Sequence, residues 1–263
     1  MKKHLTAIIA LVTAFVLAIA LAGCSSGGDG ASADEDVTGI IGAMESEVNT
    51  IKDAMTDTQV TTVSGMEFTK GTIDGHQVVV VQCGMGKVNA GICAQTLINE
   101  FDADRVINTG VAGSLTDELG INDFVISTEA VQHDYDVSPI GFEKGEIPYT
   151  GLVAFPADET MRAQAVEAVK QAAPDSKVLE GRVCTGDQFI DTQEKIDTIT
   201  SNFGGLCAEM EGGAIAQVCY LNETPYVIIR CISDSSSDSD YAAFQENAAK
   251  ECANATLAMV SAL

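Results

Sequence analysis

Short apolar segments alternate with longer amphipathic segments along most of the chain. The apolar segments have the length and β-branched content of strands, whereas the amphipathic segments repeat their apolar positions at helical spacing. The pattern predicts strands at residues 39–42, 66–72, 77–83, 105–109, 124–129, 177–184, 205–208 and 226–231. It predicts helices at residues 45–55, 87–101, 158–172, 192–201, 211–221 and 241–263. Strands that alternate with helices indicate an α/β fold.

The first residues form a separate segment with the order of an export signal. Lys2 and Lys3 precede an apolar run from residue 5 to residue 22, and Leu21-Ala22-Gly23-Cys24 ends it. This ending resembles a bacterial lipobox, in which Cys24 is lipidated and becomes the first residue of the mature protein. The alternative is an uncleaved membrane helix, because the run is close to the ~18 residues that can span a bilayer. Both interpretations predict a domain held outside the cytoplasm at the cell membrane.

The chain is therefore divided into three parts. Residues 1–23 are the predicted lipoprotein signal peptide. Residues 24–36 are rich in Ser, Gly, Ala and acids, which predicts a flexible tether. Residues 37–263 have the length of one large domain and no low-complexity break.

The charge of the chain excludes one class of partner. The formal net charge is −24, and removal of residues 1–23 takes away two lysines and no acid, which gives −26 for the mature chain. A strongly acidic surface repels phosphate backbones, so we expect no nucleic-acid partner.

The cysteine pattern does not indicate a disulfide framework, although an exported protein invites one. Of eight cysteines, seven remain after Cys24, an odd number. Five of them lie in predicted apolar strands or helices, where cysteine behaves as a small core residue: Cys83, Cys93, Cys207, Cys219 and Cys231. The three histidines form no Cys/His cluster with metal-ligand spacing, so we expect no metal and no cofactor.

Three acidic residues follow predicted strands and are the best candidates for chemistry. Glu47 comes directly after the first strand, and Glu211 ends the triplet Glu209-Met210-Glu211. Asp234 follows an apolar run that is predicted to be buried on both faces, at the strand end where open α/β sheets bind ligands. Three carboxylates at strand ends suggest bond cleavage. For Glu47 the residues alone favour a simpler role, capping of the first helix, because acids favour the positive end of the helix dipole.

Other motifs carry weaker signals. Glycine-bearing turns are predicted after three strands, at Gly84-Met85-Gly86-Lys87, Gly110-Val111-Ala112-Gly113 and Thr185-Gly186-Asp187. The first lacks the spacing of a phosphate loop, so an ordinary strand-to-helix turn is favoured. His133-Asp134-Tyr135-Asp136 allows a catalytic pair, but a hydrogen-bonding role is favoured.

Seven motifs together carry a family resemblance. They are Ile41-Gly42-Ala43-Met44-Glu45-Ser46-Glu47-Val48, Gly84-Met85-Gly86-Lys87-Val88, Ile107-Asn108-Thr109-Gly110, His133-Asp134-Tyr135-Asp136-Val137, Gly186-Asp187-Gln188-Phe189-Ile190, Glu209-Met210-Glu211 and Ile232-Ser233-Asp234. In this order they resemble the 5′-methylthioadenosine/S-adenosylhomocysteine nucleosidases, over almost all of residues 39–263. The resemblance implies a nucleoside phosphorylase-like fold, a three-layer α/β/α domain with a mixed central β-sheet. It also implies hydrolysis of the N-glycosidic bond of an adenine nucleoside.

The resemblance implies a role for each of the three acids. Asp234 donates a proton to purine N7, which makes the base a better leaving group. Glu47 activates the attacking water, and Glu211 holds the ribose hydroxyls. Hydrolysis passes through an oxocarbenium-like ribose, so these three tasks match the chemistry that the bond requires.

The same resemblance implies the residues that bind the substrate. Met210 packs against the sugar, Phe189 stacks on the purine, and the backbone of Ile190 reads the purine edge. Arg230 and Ser233 orient the loop that carries the catalytic acid.

The chain departs from the family pattern near the sugar and its 5′ substituent. Val111 stands where many relatives have a hydroxyl, and Ile140 stands where many have an aromatic residue. The other apolar residues expected around the 5′ substituent are Met44, Met85, Val137, Pro148 and Phe244. The resemblance implies a homodimer in which Val137, Ile140 and Pro148 cover the site of the partner, and it leaves the preferred adenine nucleoside open.

Two alternatives remain at this point. A related phosphorylase uses phosphate in place of water, but the mature chain has only four arginines, none in the first loop, and Val111 supplies no hydroxyl. A lipoprotein can also bind a nucleoside without cleaving it, although an intact set of three acids argues against that.

Overall fold

The computed structural model describes residues 36–234 and 238–263. Its strands are β1 (Val37–Gly42), β2 (Thr56–Val63), β3 (Met66–Ile73), β4 (His76–Gln82), β5 (Ala103–Ser114), β6 (Phe124–Gln132), β7 (Ala154–Pro156), β8 (Val178–Thr185), β9 (Cys207–Glu209) and β10 (Tyr226–Asp234). Its α-helices are α1 (Glu45–Asp53), α2 (Lys87–Phe101), α3 (Glu159–Ala172), α4 (Gln193–Phe203), α5 (Gly212–Leu221) and α6 (Asp238–Val260), and a 3₁₀ turn covers Ser138–Ile140. The predicted signal peptide, Cys24 and nearly all of the predicted tether lie outside the described residues.

The strands form one mixed sheet that closes on itself at one end. β10 pairs in parallel with β5 and antiparallel with β6. From β6 the pairing continues through β8 and β9 back to β5, so these five strands make a ring. From β5 the sheet also extends outward through β1, β4 and β3 to the edge strand β2.

Helices cover both faces of the sheet, which confirms the predicted three-layer α/β/α architecture. Alternate residues of the central strands point to opposite faces: Ile41 and Ile228 belong to one apolar cluster, Ile40 and Ile229 to the other. Helices α2 and α5 pack on the first face, and α1, α3 and α6 on the second. The run 226–229 is buried on both faces, as predicted. No helix within the described residues is long and apolar enough to cross a membrane.

The predicted turn at Gly110-Val111-Ala112-Gly113 is wrong. β5 continues through it to Ser114, because β10 keeps pairing beside it as far as Asp234 opposite Gly113. These glycines instead leave room for neighbouring side chains to pack against the strand. A Cβ at Gly110 would collide with Arg230 Nη1 and would lie 2.5 Å from Glu47 Oε1.

Candidate active site

A cleft of about 600 Å³, including its open mouth, lies at the carboxyl ends of β1, β5 and β10. The loops after β4 and β8 and the start of α5 form its other walls. Ten of the residues predicted for the site line it: Met44, Glu47, Met85, Val111, Phe189, Ile190, Met210, Glu211, Ser233 and Asp234. The structure thus brings together residues that are up to 190 positions apart in the sequence.

Glu47 is buried and fixed by three backbone donors. Its Oε2 accepts hydrogen bonds from the N–H groups of Ala43 (2.7 Å) and Met44 (2.9 Å), and its Oε1 accepts one from Val111 (3.0 Å). Burial raises the pKa of the Glu47 carboxyl, while the charge of Arg230 and the three N–H donors act in the opposite direction. A carboxylate with a raised pKa in a cleft suits a general base.

Glu211 lies at the N-cap position of α5, just before the helix that was predicted to contain it. Its Oε1 accepts a hydrogen bond from the Gly86 N–H (2.8 Å), which links it to the loop after β4. Burial and the adjacent Glu209 raise the pKa of Glu211 to about 7, against the charge of Arg230 and the Gly86 donor.

Asp234 ends β10 and is 3 % exposed. The pairing of β10 with β5 shifts register between Ile232 and Asp234, so Ser233 is an extra residue in the strand. Bulges of this kind re-aim the side chains beside them and occur near active sites. The Ser233 hydroxyl donates to Asp234 Oδ2 (3.0 Å), and Asp234 Oδ1 would lie 3.0 Å from a Cβ at Gly113. The absence of a side chain at Gly113 therefore leaves room for the Asp234 carboxyl.

Arg230 lies beneath the cleft, and its side chain is not part of the lining. Its Nη2 binds Glu209 and donates to Asn108 Oδ1 (2.7 Å), and it lies 3.7 Å from Glu211 Oε2. Burial alone would lower the pKa of Arg230, but Glu209, Glu211 and Glu47 raise it, so the guanidinium is charged. Arg230 therefore contacts the acids of β9 and α5, whereas the sequence predicted that it orients the loop around Asp234.

Tyr241 is a cleft residue that the sequence did not reveal. Its ring meets Phe189 edge to face, with centroids 5.4 Å apart, and its hydroxyl lies 3.4 Å from Met44 Sδ. Burial and the acids Glu47, Asp234 and Glu211 raise its pKa. Phe244, the aromatic predicted for this wall, is three residues further along α6, is 40 % exposed and does not line the cleft. Tyr241, almost one helical turn earlier in α6, fills this wall instead, because it packs on Phe189 and Met44.

The residues predicted to cover a partner's site also lie outside the cleft of the single chain. Val137 and Ile140 are at the 3₁₀ turn, and Ile140 is 74 % exposed. Pro148 is half-buried in the segment that follows.

Residues of the glycine-bearing motifs and of the His133-Asp134-Tyr135-Asp136 motif connect the loops around the cleft through hydrogen bonds. The Lys87 ammonium pairs with Asp134 (2.6 Å), whose second oxygen accepts from the Asp187 N–H (2.9 Å). Asp187 accepts in turn from the Lys87 N–H (2.8 Å). His133 is buried away from the cleft lining, and burial lowers its pKa. The hydrogen-bonding interpretation of this motif therefore holds for Asp134.

The cysteines within the described part of the chain are all buried and outside disulfides: Cys83, Cys93, Cys184, Cys207, Cys219, Cys231 and Cys252. Within the same residues, no group of His, Cys, Asp and Glu side chains is arranged to hold a metal ion.

Comparison with known proteins places this geometry in a family context. The model of the phosphorylase superfamily matches residues 37–261. The chain is 42 % identical over 229 residues to the 5′-methylthioadenosine/S-adenosylhomocysteine nucleosidase of Shewanella loihica, covering 86 % of this chain and 97 % of that protein. The Neisseria meningitidis nucleosidase of the same name, solved with methylthio-immucillin-A, superposes with a TM-score of 0.83 at 34 % identity, covering 87 % of this chain and 100 % of that one. Futalosine hydrolase of Helicobacter pylori superposes with a TM-score of 0.82 at 30 % identity, covering 87 % and 99 %.

Proposed function

The chain belongs to the 5′-methylthioadenosine/S-adenosylhomocysteine nucleosidase family of the phosphorylase superfamily, and from this premise we propose how its cleft cleaves an adenine nucleoside. The protein is an N-glycosyl hydrolase: water replaces the base at C1′ of the ribose, and adenine is released. One observation supports the division of roles most strongly. Glu47, Glu211 and Asp234 reach a single cleft from three different elements, beside Phe189 and Met210.

Asp234 is the proton donor to the leaving base. As the C1′–N9 bond breaks, its electron pair moves into the purine, and a proton from Asp234 neutralises the ring at N7. Burial at 3 % exposure and the Ser233 hydroxyl at 3.0 Å keep the carboxyl in one orientation at the cleft wall.

Glu47 is the base that takes a proton from the attacking water. Three N–H donors hold its carboxylate still, so it can orient water without losing its own position. Its raised pKa favours acceptance of that proton as the bond to C1′ forms.

Glu211 binds the ribose hydroxyls, and the half-buried Met210 packs beside the sugar. The Gly86 N–H occupies one oxygen of Glu211, which leaves the other for the substrate. Phe189 stacks on the purine, the backbone of Ile190 reads its edge, and Tyr241 supports Phe189 from the side.

The 5′ substituent lies among apolar side chains. This part of the cleft favours a substrate with an alkylthio group over one with a charged group. Met44 and Met85 supply this wall in the single chain, and Val111 adds a methyl surface where a hydroxyl is absent. We infer that the protein is a homodimer in which Val137, Ile140 and Pro148 close the 5′ end of the partner's cleft. The 74 % exposure of Ile140 supports that inference.

Water suits this cleft better than phosphate does. Neither lysine nor arginine is among the described residues that line it, and Arg230 is already bound to Glu209 and Asn108. A phosphate nucleophile would meet three carboxylates with no free cation to balance its charge.

The activity is tested by incubating purified protein with 5′-methylthioadenosine, with and without phosphate, and by separating the products. We expect adenine and free methylthioribose at equal rates in both buffers. A phosphorylated sugar that forms only with phosphate would contradict hydrolysis, and unchanged substrate would indicate a binding protein.

We further propose that the protein acts outside the cytoplasm, anchored through a lipid on Cys24 after loss of residues 1–23. The support is the order of charged, apolar and lipobox residues in the sequence. Such an enzyme would cleave nucleosides that reach it from the medium.

A further inference from the structure

A fourth carboxylate, that of Glu209, lines the cleft beside the three that serve the reaction. Glu209 is the last residue of β9 and is 7 % exposed. It accepts hydrogen bonds from the Thr185 hydroxyl, the Gly212 N–H (2.7 Å) and the Glu211 N–H (3.2 Å), and it pairs with Arg230. Its oxygens are thus occupied by protein groups, which leaves it no place in the chemistry itself.

Arg230 lies among three acids, Glu47, Glu209 and Glu211, and its guanidinium forms its close ion pair with only one of them. Its Nη2 binds Glu209 and Asn108, whereas Glu211 Oε2 stays 3.7 Å away, beyond a normal hydrogen bond. On the other side of the guanidinium, Arg230 Nη1 and Glu47 Oε1 both border the space that a Cβ at Gly110 would fill. Without the charge of Glu209, the guanidinium would be drawn toward the carboxylates of the cleft.

We propose that Glu209 is a positioning residue for the hydrolysis: it keeps the Arg230 guanidinium out of hydrogen-bond contact with Glu47 and Glu211, so that water and the ribose have access to those two carboxylates. A buried ion pair costs desolvation and is seldom needed for stability alone. Its position directly beside two working acids supports a role in the reaction.

The charges of Glu209 and Arg230 have opposite effects on the pKa values of the working acids, which agrees with the proposed role. Its negative charge contributes to the raised pKa of Glu211, and Arg230 acts to lower the pKa values of both Glu47 and Glu211. The other titratable groups that face this cluster are Cys83, His133, Cys184, Cys207, Asp234, Tyr241 and Cys252. The hydrogen bond with Cys93 and burial raise the thiol pKa of Cys83, and burial raises those of Cys184 and Cys207, so all three stay neutral while the carboxylates titrate.

The test is the pH dependence of kcat/KM for 5′-methylthioadenosine in the full chain. Glu209→Gln removes the charge and frees Arg230 to pair with Glu47 and Glu211, so both changes lower the pKa values of those acids. We expect the acid limb of the profile to move to lower pH by about one unit and kcat to fall about tenfold. Glu129→Gln is the matched control, because Glu129 pairs with Arg182 on β6 and β8, away from the cleft lining. It should leave the acid limb unchanged.

A folded Glu209→Gln enzyme with the wild-type acid limb and wild-type kcat would overturn the proposal. If this variant does not fold, Glu209→Asp serves, because its shorter side chain cannot hold Arg230 and the Thr185 hydroxyl together. A smaller shift in the same direction is expected, and a wild-type profile would again refute the role. The inference rests on the nucleosidase activity, and the wild-type arm of the same assay shows separately whether that activity is present.

Discussion

At the scale of single residues, Glu47 combines two roles that its sequence position presents as alternatives. Its carboxylate accepts the N–H of Met44, the N-cap residue of α1, so it does stabilise the start of that helix. The same carboxylate accepts the Val111 N–H from β5 and faces the cleft. Capping therefore holds the proposed base in place, and a helix terminus becomes part of the cleft.

The two glutamates of the cleft should respond differently to loss of charge. Glu47→Gln removes the base and should lower kcat by about 10²–10⁴-fold for a nucleoside and for its 2′-deoxy analogue alike. Glu211→Gln weakens a charge-assisted hydrogen bond to the sugar, so kcat/KM should fall by about 10–100-fold for the nucleoside. With the 2′-deoxy analogue, the Glu211→Gln loss should be smaller. Steady-state kinetics of both variants on both substrates measures this, and equal losses throughout would disprove the division of roles.

At the scale of the elements, strands β5 and β10 build the site through features that are absent from the hydrophobic pattern. Their apolar cores were predictable, as was the acid at the end of β10. The bulge at Ser233 and the extension of β5 through Gly110 were not, because both depend on the neighbouring strand. A glycine in the sequence signals a turn as readily as it signals close packing.

Elements at the margins escaped prediction for related reasons. β2 is an edge strand whose residues are nearly all exposed, so it shows no alternation of buried and exposed positions. β7 has only three residues, which is too short for any periodicity. Tyr241 faces the cleft from the first turns of α6, where sequence reasoning placed Phe244 instead.

Gly110→Ala tests the packing between these strands. The new Cβ would meet Arg230 and Glu47, so the variant should lose about 1–3 kcal/mol of stability and at least tenfold in turnover. Gly120→Ala is the control, since its Cβ would make only an ordinary contact, 3.7 Å from Asp123 Oδ2. Thermal unfolding and adenine release compare the two variants. A Gly110→Ala protein that matches wild type in both would show that the glycine is not required.

At the scale of the whole molecule, the family domain and the proposed anchor divide the chain between them. Residues 37–261 match the family model, and the residues before them carry the proposed export signal. Every described side chain in the cleft lining lies between Ala43 and Tyr241, within the residues that match the family model. The proposed anchor therefore sets where the enzyme works, and the domain sets what it does.

Cys24 decides between a lipid anchor and a retained membrane helix. Wild-type protein should partition with membranes and should begin at a diacylated or triacylated Cys24, since two or three acyl chains anchor stably where one does not. Cys24→Ala should not be matured by this route. Intact-mass analysis of the membrane fraction measures where each chain begins and whether it carries lipid. A chain that still begins at Met1 without lipid would mean that the apolar run stays as a helix.

The most direct test of the account is adenine release by Asp234→Asn. The amide cannot donate the proton to the base, so release from 5′-methylthioadenosine should fall by about 10²–10⁴-fold, while calorimetry should still detect nucleoside binding. Asp197→Asn, an exposed site on α4 outside the cleft lining, makes the same chemical change as a control and should keep full activity. Near-normal adenine release by folded Asp234→Asn would contradict the central claim that this acid protonates the leaving base.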